Sequence, residues 1–206
     1  MTAVTRKRFT LAEYHYLAEL GFFSEDDRVE LIRGEIMEMA AKCTPHSVCN
    51  SLLLGELYTL VGKRGNVRGQ EPITLPPNSE PEPDVVVARR QSDHYLSAHP
   101  SPKDILLVIE VADSSLQYDQ QTKLALYAEA GISDYWLFNL IENHLEVYSE
   151  PVQDVQGNSS YRLRRIILPD EVVALPCLPD LSLNLSSVFP SYPQQTQTSA
   201  YSGTTQ

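Results

Sequence analysis

The sequence is poor in cysteine, in basic residues and in long apolar runs. Its 206 residues include three cysteines, which cannot all pair and which lack metal-ligand spacing, so we expect reduced thiols in a cytoplasmic protein. No stretch approaches the roughly 20 consecutive apolar residues of a membrane-spanning helix. No apolar segment follows the basic residues near the N-terminus, so no secretory signal is expected. These absences favour a cytoplasmic protein with no membrane partner.

The shortage of basic residues gives the chain a net charge of −11, from 27 acidic and 16 basic side chains. This balance counts against a nucleic-acid partner, because phosphate binding depends largely on Lys and Arg. It does not exclude one, since a local basic surface acts within a screening length of about 10 Å while the rest of the protein stays acidic.

The composition favours one globular domain with unstructured ends. Hydrophobic residues make up 42% of the chain, enough for a single sizeable core. We predict an N-terminal arm over residues 1–9 and a domain over residues 10–189. Residues 190–206 contain no charged residue and no large aliphatic residue, so they cannot form a core and are predicted to be disordered.

Local patterns predict helices and strands along the whole domain. Thr10 and Glu13 form a capping-box pattern that opens a helix ending near Leu20. A second helix is predicted over Thr44–Val61, from leucines at helical spacing, and a third after Ser115. Arg33-Gly34 suits a two-residue hairpin turn. The predicted strands cover residues 28–32, 35–39, 66–70, 73–75, 84–87, 105–109, 135–140, 145–149 and 161–168, which together predict a mixed sheet with helices on its faces.

An unbroken aliphatic run, residues 105–109, predicts a strand buried on both faces, with Glu110 at its end. A buried glutamate is unfavourable unless a cation or hydrogen-bond donors meet it. Asp84 begins the preceding predicted strand, and consecutive strands tend to be neighbours. Two carboxylates held close together stay ionised if a divalent cation lies between them, and Mg²⁺ favours such oxygen ligands. The pair therefore predicts a metal site.

The helix after Glu110 carries a candidate ammonium. Asp119, Lys123 and Tyr127 recur every fourth residue and share one face, whereas Leu124 and Ala128 are predicted to pack on the sheet from another face. Lys123 is expected to point toward Glu110, with Asp119 orienting it. There its charge would stabilise a phosphorane-like transition state or hold a water.

Several stretches, in this order, resemble the Uma2 endonuclease family, also catalogued as a domain of unknown function, within the PD-(D/E)XK superfamily. They are Val29-Glu-Leu-Ile-Arg-Gly-Glu35, Thr44-Pro-His46, Glu82-Pro-Asp-Val-Val86, Leu107-Val-Ile-Glu-Val111, Asp119 to Tyr127, and Ala130-Gly-Ile-Ser-Asp-Tyr-Trp136. The resemblance covers roughly residues 8 to 185. It implies an α/β (mixed α+β) restriction-endonuclease-like core and a Mg²⁺- or Mn²⁺-dependent endonuclease acting on DNA, with a homodimer expected by analogy.

The resemblance also implies the site. Asp84, Glu110 and Lys123 are the candidate catalytic residues, with Asp84 and Glu110 as metal ligands. One departure from the superfamily pattern is that its lysine usually lies two residues after the glutamate, where this chain has Ala112, so the lysine is displaced to position 123. Each of these residues has an alternative without a metal. Asp84 would be a residue at the start of a strand that accepts hydrogen bonds from loop amides, Glu110 would form a buried salt bridge with Lys123, and Lys123 would be a solvated partner of Asp119.

Glu30, His46 and Asp119 are supporting candidates. Glu30 is either an acid near the metal or an outward-facing strand residue. His46 either approaches the site or, as we favour from sequence, caps a helix or lies on the surface. At the level of function the alternative is a nuclease-fold protein that no longer cuts and serves as a binding or assembly module.

Overall fold

In the computed structural model, the described part of the chain comprises residues 5–24 and 26–191. The helices are α1 (Leu11–Glu19), α2 (Thr44–Val61), α3 (Leu116–Tyr118) and α4 (Leu124–Glu129), and a π-helical turn (Asp119–Lys123) joins the last two. The strands are β1 (Val29–Ile32), β2 (Glu35–Glu38), β3 (Gly65–Gly69), β4 (Val85–Arg89), β5 (Ile105–Ala112), β6 (Asp134–Asn139), β7 (His144–Gln153), β8 (Ser159–Ile167), β9 (Val172–Leu175) and β10 (Leu178–Asn184). We call α3, the π turn and α4 together the site helix.

The two N-terminal predictions are confirmed by their local geometry. The backbone N–H of Glu13 donates to Thr10 Oγ1 at 3.2 Å, and the Thr10 N–H donates back to the Glu13 carboxylate at 2.9 Å, which is the reciprocal pattern of a capping box. Between β1 and β2, Arg33 and Gly34 have φ of 48° and 79°. Two consecutive residues with positive φ are typical of the tight turn that matches the twist of a hairpin.

The centre of the fold is a six-stranded mixed sheet in the order β3-β4-β5-β6-β7-β8. Only β5 and β6 pair in parallel; the other neighbours are antiparallel. A parallel pair needs a crossover connection, and the site helix is part of it. This confirms the predicted mixed sheet flanked by helices.

Side chains of β5 alternate between two cores on the two faces of the sheet. Leu107, Ile109 and Val111 belong to the core that contains α2 and residues of β9 and β10. Val108 and Ala112 belong to the core that contains the site helix. Because side chains on a strand alternate with a period of two, Glu110 lies on the site-helix face, between two apolar positions. The strand period thus fixes which helix Glu110 meets.

Three predictions about secondary structure are wrong or incomplete. Residues 73–75 form no strand: Leu75 makes only an isolated bridge to Ser79, although Ile73 and Leu75 are buried. The strand predicted over 105–109 extends to Ala112, so Glu110 lies inside β5 rather than at its end. The β9–β10 hairpin was not predicted.

The site helix buries both of the predicted stripes of residues. Leu124 and Ala128 are buried as predicted, but Asp119, Lys123 and Tyr127 are buried as well. A π turn interrupts the helix over Asp119–Lys123. Lys123 Nζ and the Tyr127 hydroxyl nevertheless both contact Glu110, so these two residues share a face as predicted.

The structure bears on only some of the predictions about membrane helices, cysteines, domain limits and chain ends. Among residues 5–24 and 26–191, no helix is both long enough and apolar enough to cross a membrane. Cys43, Cys49 and Cys177 are all free thiols. The domain division at residues 10 and 189 stays a prediction, and most of the tail predicted to be disordered, residues 192–206, lies outside the described residues, as do residues 1–4 of the arm.

Candidate active site

A cavity of about 300 Å³ opens where the β1–β2 hairpin, the start of α2, β4, β5 and the site helix meet. All six residues that the sequence singled out line this cavity. They come from five separate elements and loops, so only the tertiary fold brings them together. The cavity is rich in carboxylates, seven in number: Glu30, Glu38, Glu82, Asp84, Glu110, Asp113 and Asp119.

Asp84 is buried immediately before β4 and is held by donors from three directions. Its Oδ2 accepts a hydrogen bond from the Val111 N–H at 2.9 Å and lies 3.0 Å from His46 Nε2. Gln70 Nε2 donates to Oδ1 at 3.3 Å. Burial opposes ionisation, but the His46 contact and the hydrogen bonds outweigh it and lower the pKa of Asp84. Asp84 is therefore a carboxylate in this fold.

Glu110 lies beside Asp84 because of the strand register. Val85 pairs with Ile109 in antiparallel strands, so Asp84, which precedes Val85, lies opposite Glu110, which follows Ile109. The Asp84 N–H donates to Glu110 Oε2 at 3.1 Å. The Tyr127 hydroxyl donates to Oε1 at 2.6 Å. Burial raises the pKa of Glu110 to about 8, against the opposing effect of Lys123. Its carboxyl is thus short of positive charge.

Lys123 reaches the sheet and contacts two carboxylates. Its Nζ lies 2.6 Å from Glu30 Oε2 and 3.4 Å from Glu110 Oε1, and all three side chains are almost completely buried. Burial alone would lower the pKa of Lys123, but these two carboxylates raise it. The two carboxylates therefore favour the charged form of this ammonium, and Glu30 is an inward-facing residue rather than an outward-facing one.

Asp119 does not orient Lys123 by direct contact. Its Oδ2 accepts a hydrogen bond from Ser115 Oγ at 2.6 Å, and no ion pair joins it to Lys123 among the described residues. Burial raises the pKa of Asp119 to about 7, although the Ser115 bond opposes this. Asp119 adds a second proton-accepting carboxyl to the cavity wall.

The π turn that carries Asp119 and Lys123 is anchored at two points. The Tyr135 hydroxyl donates to the Asp119 carbonyl oxygen at 3.3 Å, and Gln120 Nε2 donates to Glu146 Oε1 at 2.8 Å. Short π segments interrupt α-helices frequently at functional sites. Here the interruption lies at the lysine that enters the cavity.

His46 is buried, and the sequence-based preference for a capping or surface histidine is wrong. Its Nε2 contacts Asp84, while its Nδ1 is buried and has no hydrogen-bond partner. The contact exists because the first turn of α2, started by Pro45, packs beside the beginning of β4. Only the tertiary arrangement shows this.

Three further residues, two that line the cavity and one that lies behind Glu110, were not identified from sequence as members of the site. Tyr127, predicted to be a core or dimer contact, is completely buried but places its hydroxyl on Glu110. The Tyr118 hydroxyl donates to Glu30 Oε1 at 3.3 Å. Lys42 lines the cavity from the segment between β2 and α2. The four-residue spacing from Lys123 to Tyr127 was the available signal for the first of these.

The charge of the cavity fits a divalent cation. Four of its carboxyl groups are almost completely buried, and among the described residues that line the cavity only Lys123 brings a fully buried ammonium to them. A buried charge is unfavourable unless it is paired, which explains why the pKa values of Glu110 and Asp119 are raised. Asp84 and Glu110 have adjacent carboxylates with lone pairs beyond their hydrogen bonds. Hard cations take oxygen ligands of this kind.

A second group of potential ligands lies elsewhere and is less suited to a metal. Glu142, His144 and Glu146 each place one ligand atom within 4.8 Å of the others. However, the Glu146 carboxylate already accepts hydrogen bonds from three side-chain donors, those of Gln120, Asn139 and Tyr148. It also forms an ion pair with Arg164 Nη2 at 3.1 Å. These donors would face an incoming cation. Glu146 is therefore the centre of a structural polar network.

Comparison with known proteins agrees with this architecture. A family model, Uma2, described as "Putative restriction endonuclease", matches residues 11–186. Among solved structures, a crystal structure of a "putative nuclease belonging to DUF820" from Anabaena variabilis ATCC 29413 superimposes with a TM-score of 0.66 at 17% sequence identity, covering 88% of this chain and 97% of that one. No curated protein matches the sequence. The family model covers most of the chain, and the chain belongs to the Uma2 family.

Proposed function

We propose that this protein is a metal-dependent endonuclease that hydrolyses DNA phosphodiester bonds in the acidic cavity. The family description and the name of the structural relative both support a nuclease. The observation that carries the proposal for this chain is the concentration of four buried carboxyl groups around one ammonium. Such an arrangement is unfavourable for a purely structural interior and suits a site that takes up cations.

Asp84 and Glu110 would hold the metal, Mg²⁺ or Mn²⁺. A bound divalent cation of this kind neutralises charge on the phosphate and lowers the pKa of a bound water. The lowered pKa of Asp84 keeps this ligand ionised. Glu110 has a raised pKa of about 8 without a metal, so a cation would replace its proton. The Tyr127 hydroxyl fixes the orientation of the Glu110 carboxylate.

Lys123 supplies the second positive charge. Its Nζ is held by Glu30 at 2.6 Å and lies 3.4 Å from Glu110, so its position is fixed before substrate arrives. Charge that is oriented in advance stabilises a transition state without reorganisation. We assign to Lys123 the stabilisation of the phosphorane-like charge or the positioning of the attacking water, and to Glu30 the positioning of Lys123. Asp119 and His46 complete the wall.

A cleavage assay tests the proposal. Supercoiled plasmid and single-stranded DNA are incubated with Mg²⁺, Mn²⁺ or EDTA and with wild type, Asp84→Asn or Lys123→Ala. Asp170→Asn, at an exposed position outside the cavity, is the matched control. We expect metal-dependent cleavage by wild type and the control and a loss of at least about 100-fold in both site variants. Equal residual cleavage in all four proteins would refute the proposal.

The alternative is a nuclease-fold binding or assembly module that no longer cuts. The short Lys123–Glu30 ion pair favours it, because this pair satisfies the ammonium without a metal or a substrate. Calorimetric titration with Mn²⁺ separates the two functions. Micromolar binding that Glu110→Gln abolishes would argue against the module, and an absence of binding at millimolar metal would favour it.

The assembly and location of the protein stay predictions. A homodimer is expected only by analogy, since many nucleases of this fold cut two strands as dimers, and a cytoplasmic location is expected from the three unpaired cysteines. Sedimentation of the full chain with and without DNA tests the first of these.

A further inference from the structure

Lys42 differs from the other basic residues of the cavity in having no partner among residues 5–24 and 26–191. It lies in the segment between β2 and α2 and is half-buried in the cavity wall. Lys123 is held by two carboxylates and His46 by one. Within the described part of the chain, by contrast, the Lys42 ammonium forms no hydrogen bond and no ion pair. Its charge in the cavity wall is therefore available to a ligand.

A second cation, the Arg28 guanidinium, lies near Lys42. Burial, and then the nearby Arg28 guanidinium, lower the pKa of Lys42; the carboxylates of Asp84, Glu82 and Glu110 act in the opposite direction but do not compensate. The lowered pKa thus reflects burial first and the Arg28 charge second, with three carboxylates opposing both effects. Arg28 is only weakly engaged, with its Nη2 3.5 Å from Glu82 Oε1.

A nucleic acid meets an electrostatic obstacle at this cavity. Seven carboxylates line it and the chain as a whole carries a net charge of −11, so a phosphate is repelled on approach. Lys123 lies deep and is already paired. A lysine at the cavity wall acts as a point charge for phosphate, and Lys42 is placed to offset the repulsion where the backbone enters.

We infer that Lys42 binds a backbone phosphate of the DNA substrate and positions the strand over the carboxylate pair. This inference rests on the proposed function and adds one residue to it. Lys42 contacts a phosphate rather than a base, so its contribution is the same for every DNA sequence. It acts on binding of the substrate, and among the described residues it makes no hydrogen bond or ion pair with the metal-holding carboxylates, on which it acts only through its charge.

The test compares Lys42→Met, which keeps the apolar stem, with Lys42→Arg, which keeps the charge. Lys103→Met is the matched control, because Lys103 is exposed and lies at the opposite end of β5. Fluorescence anisotropy in the presence of Ca²⁺ measures the dissociation constant of the protein for each of two duplexes of unrelated sequence. The measurement is repeated over a series of salt concentrations. Cleavage with Mn²⁺ gives KM and kcat, and calorimetry gives the affinity for Mn²⁺.

We expect Lys42→Met to weaken both duplexes by a similar factor of about 10 and to reduce the slope of log Kd against log salt by about 1. KM should rise with kcat nearly unchanged and Mn²⁺ affinity retained, while Lys42→Arg and Lys103→Met stay within about 2-fold of wild type. If wild type cleaves DNA and Lys42→Met has an unchanged Kd and an unchanged salt slope, the inference about Lys42 is overturned and the proposed function is not. A loss confined to kcat in Lys42→Met would have the same consequence. If wild type neither binds nor cleaves DNA, the proposed function is overturned as well.

Discussion

Glu110→Gln is expected to remove much of the loss of stability that accompanies rising pH when no divalent metal is present. Burial raises the pKa of Glu110 from 4.5 to about 8 in the folded protein. Between these two values the folded state holds a proton that the unfolded state releases. The free energy of unfolding therefore falls as the pH rises through this window, and the stabilising effect of the proton is lost above the folded pKa.

The size of the effect follows from the shift. Each pKa unit corresponds to about 1.4 kcal/mol, so the shift from 4.5 to about 8 sets an upper limit of about 5 kcal/mol. Asp119, whose pKa is raised from 3.8 to about 7, contributes in the same direction over a lower window. Glutamine keeps the shape of Glu110 but has no proton to lose. The variant therefore retains only the pH dependence of the free energy of unfolding that is due to Asp119 and the remaining groups.

Urea denaturation in EDTA at about pH 5 and about pH 8 measures this difference. The free energy of unfolding of wild type should fall by several kcal/mol from the lower to the higher pH. In Glu110→Gln this decrease should be smaller by at least about 2 kcal/mol. Glu19→Gln, an exposed glutamate on α1, is the control and should behave as wild type. Saturating Mn²⁺ at the higher pH should restore wild type by about 3 kcal/mol at 100 times Kd. A pH dependence identical in wild type and Glu110→Gln would refute the reasoning.

Three other substitutions have defined expectations, each measured by urea denaturation and DNA cleavage. Tyr127→Phe removes a donor from buried Glu110, so we expect a loss of about 1–2 kcal/mol and a further rise in the pKa of that carboxyl. Lys123→Met leaves buried carboxylates unpaired and should cost about 3–5 kcal/mol, part of which Glu30→Gln should recover in the double variant. Glu146→Ala should cost about 3 kcal/mol, because it leaves buried donors unsatisfied, and should lower kcat through the π turn.

Each of these has an outcome that would contradict it. Wild-type stability in Tyr127→Phe would mean that its hydroxyl does not support Glu110. A double variant no more stable than Lys123→Met would mean that the ion pair with Glu30 is not the source of the loss. Full kcat in a folded Glu146→Ala would separate the polar network from the site.

Features set by neighbouring residues were predictable. The capping box at Thr10 and the Arg33-Gly34 turn depend on backbone geometry over three or four residues, and α2 was placed with its observed limits, Thr44–Val61. The strand predicted at residues 73–75 failed because its apolar residues are buried in a proline-rich loop, and burial alone does not distinguish such a loop from a strand.

Features set by contacts between distant segments were less accessible. Lys123 and Glu30 are separated by 93 residues, and spacing along a chain carries no information about such a pair. The burial of His46 depends on how α2 packs beside β4. The π turn at Asp119–Lys123 was predicted as ordinary helix, because the same residues suit both geometries. Strand order and the four-residue spacing on the helix brought Asp84, Glu110 and Lys123 together in the prediction, and the resemblance to a family supported the same three residues.

The position of a bound Mn²⁺ ion tests the central claim most directly. Crystals of the full chain soaked in Mn²⁺ and measured near the manganese absorption edge would locate the ion by its anomalous signal. The account predicts a peak bridging the carboxylates of Asp84 and Glu110, within the acidic cavity that contains Lys123. A peak at Glu142, His144 and Glu146 instead, or none in the cavity at millimolar metal, would contradict it.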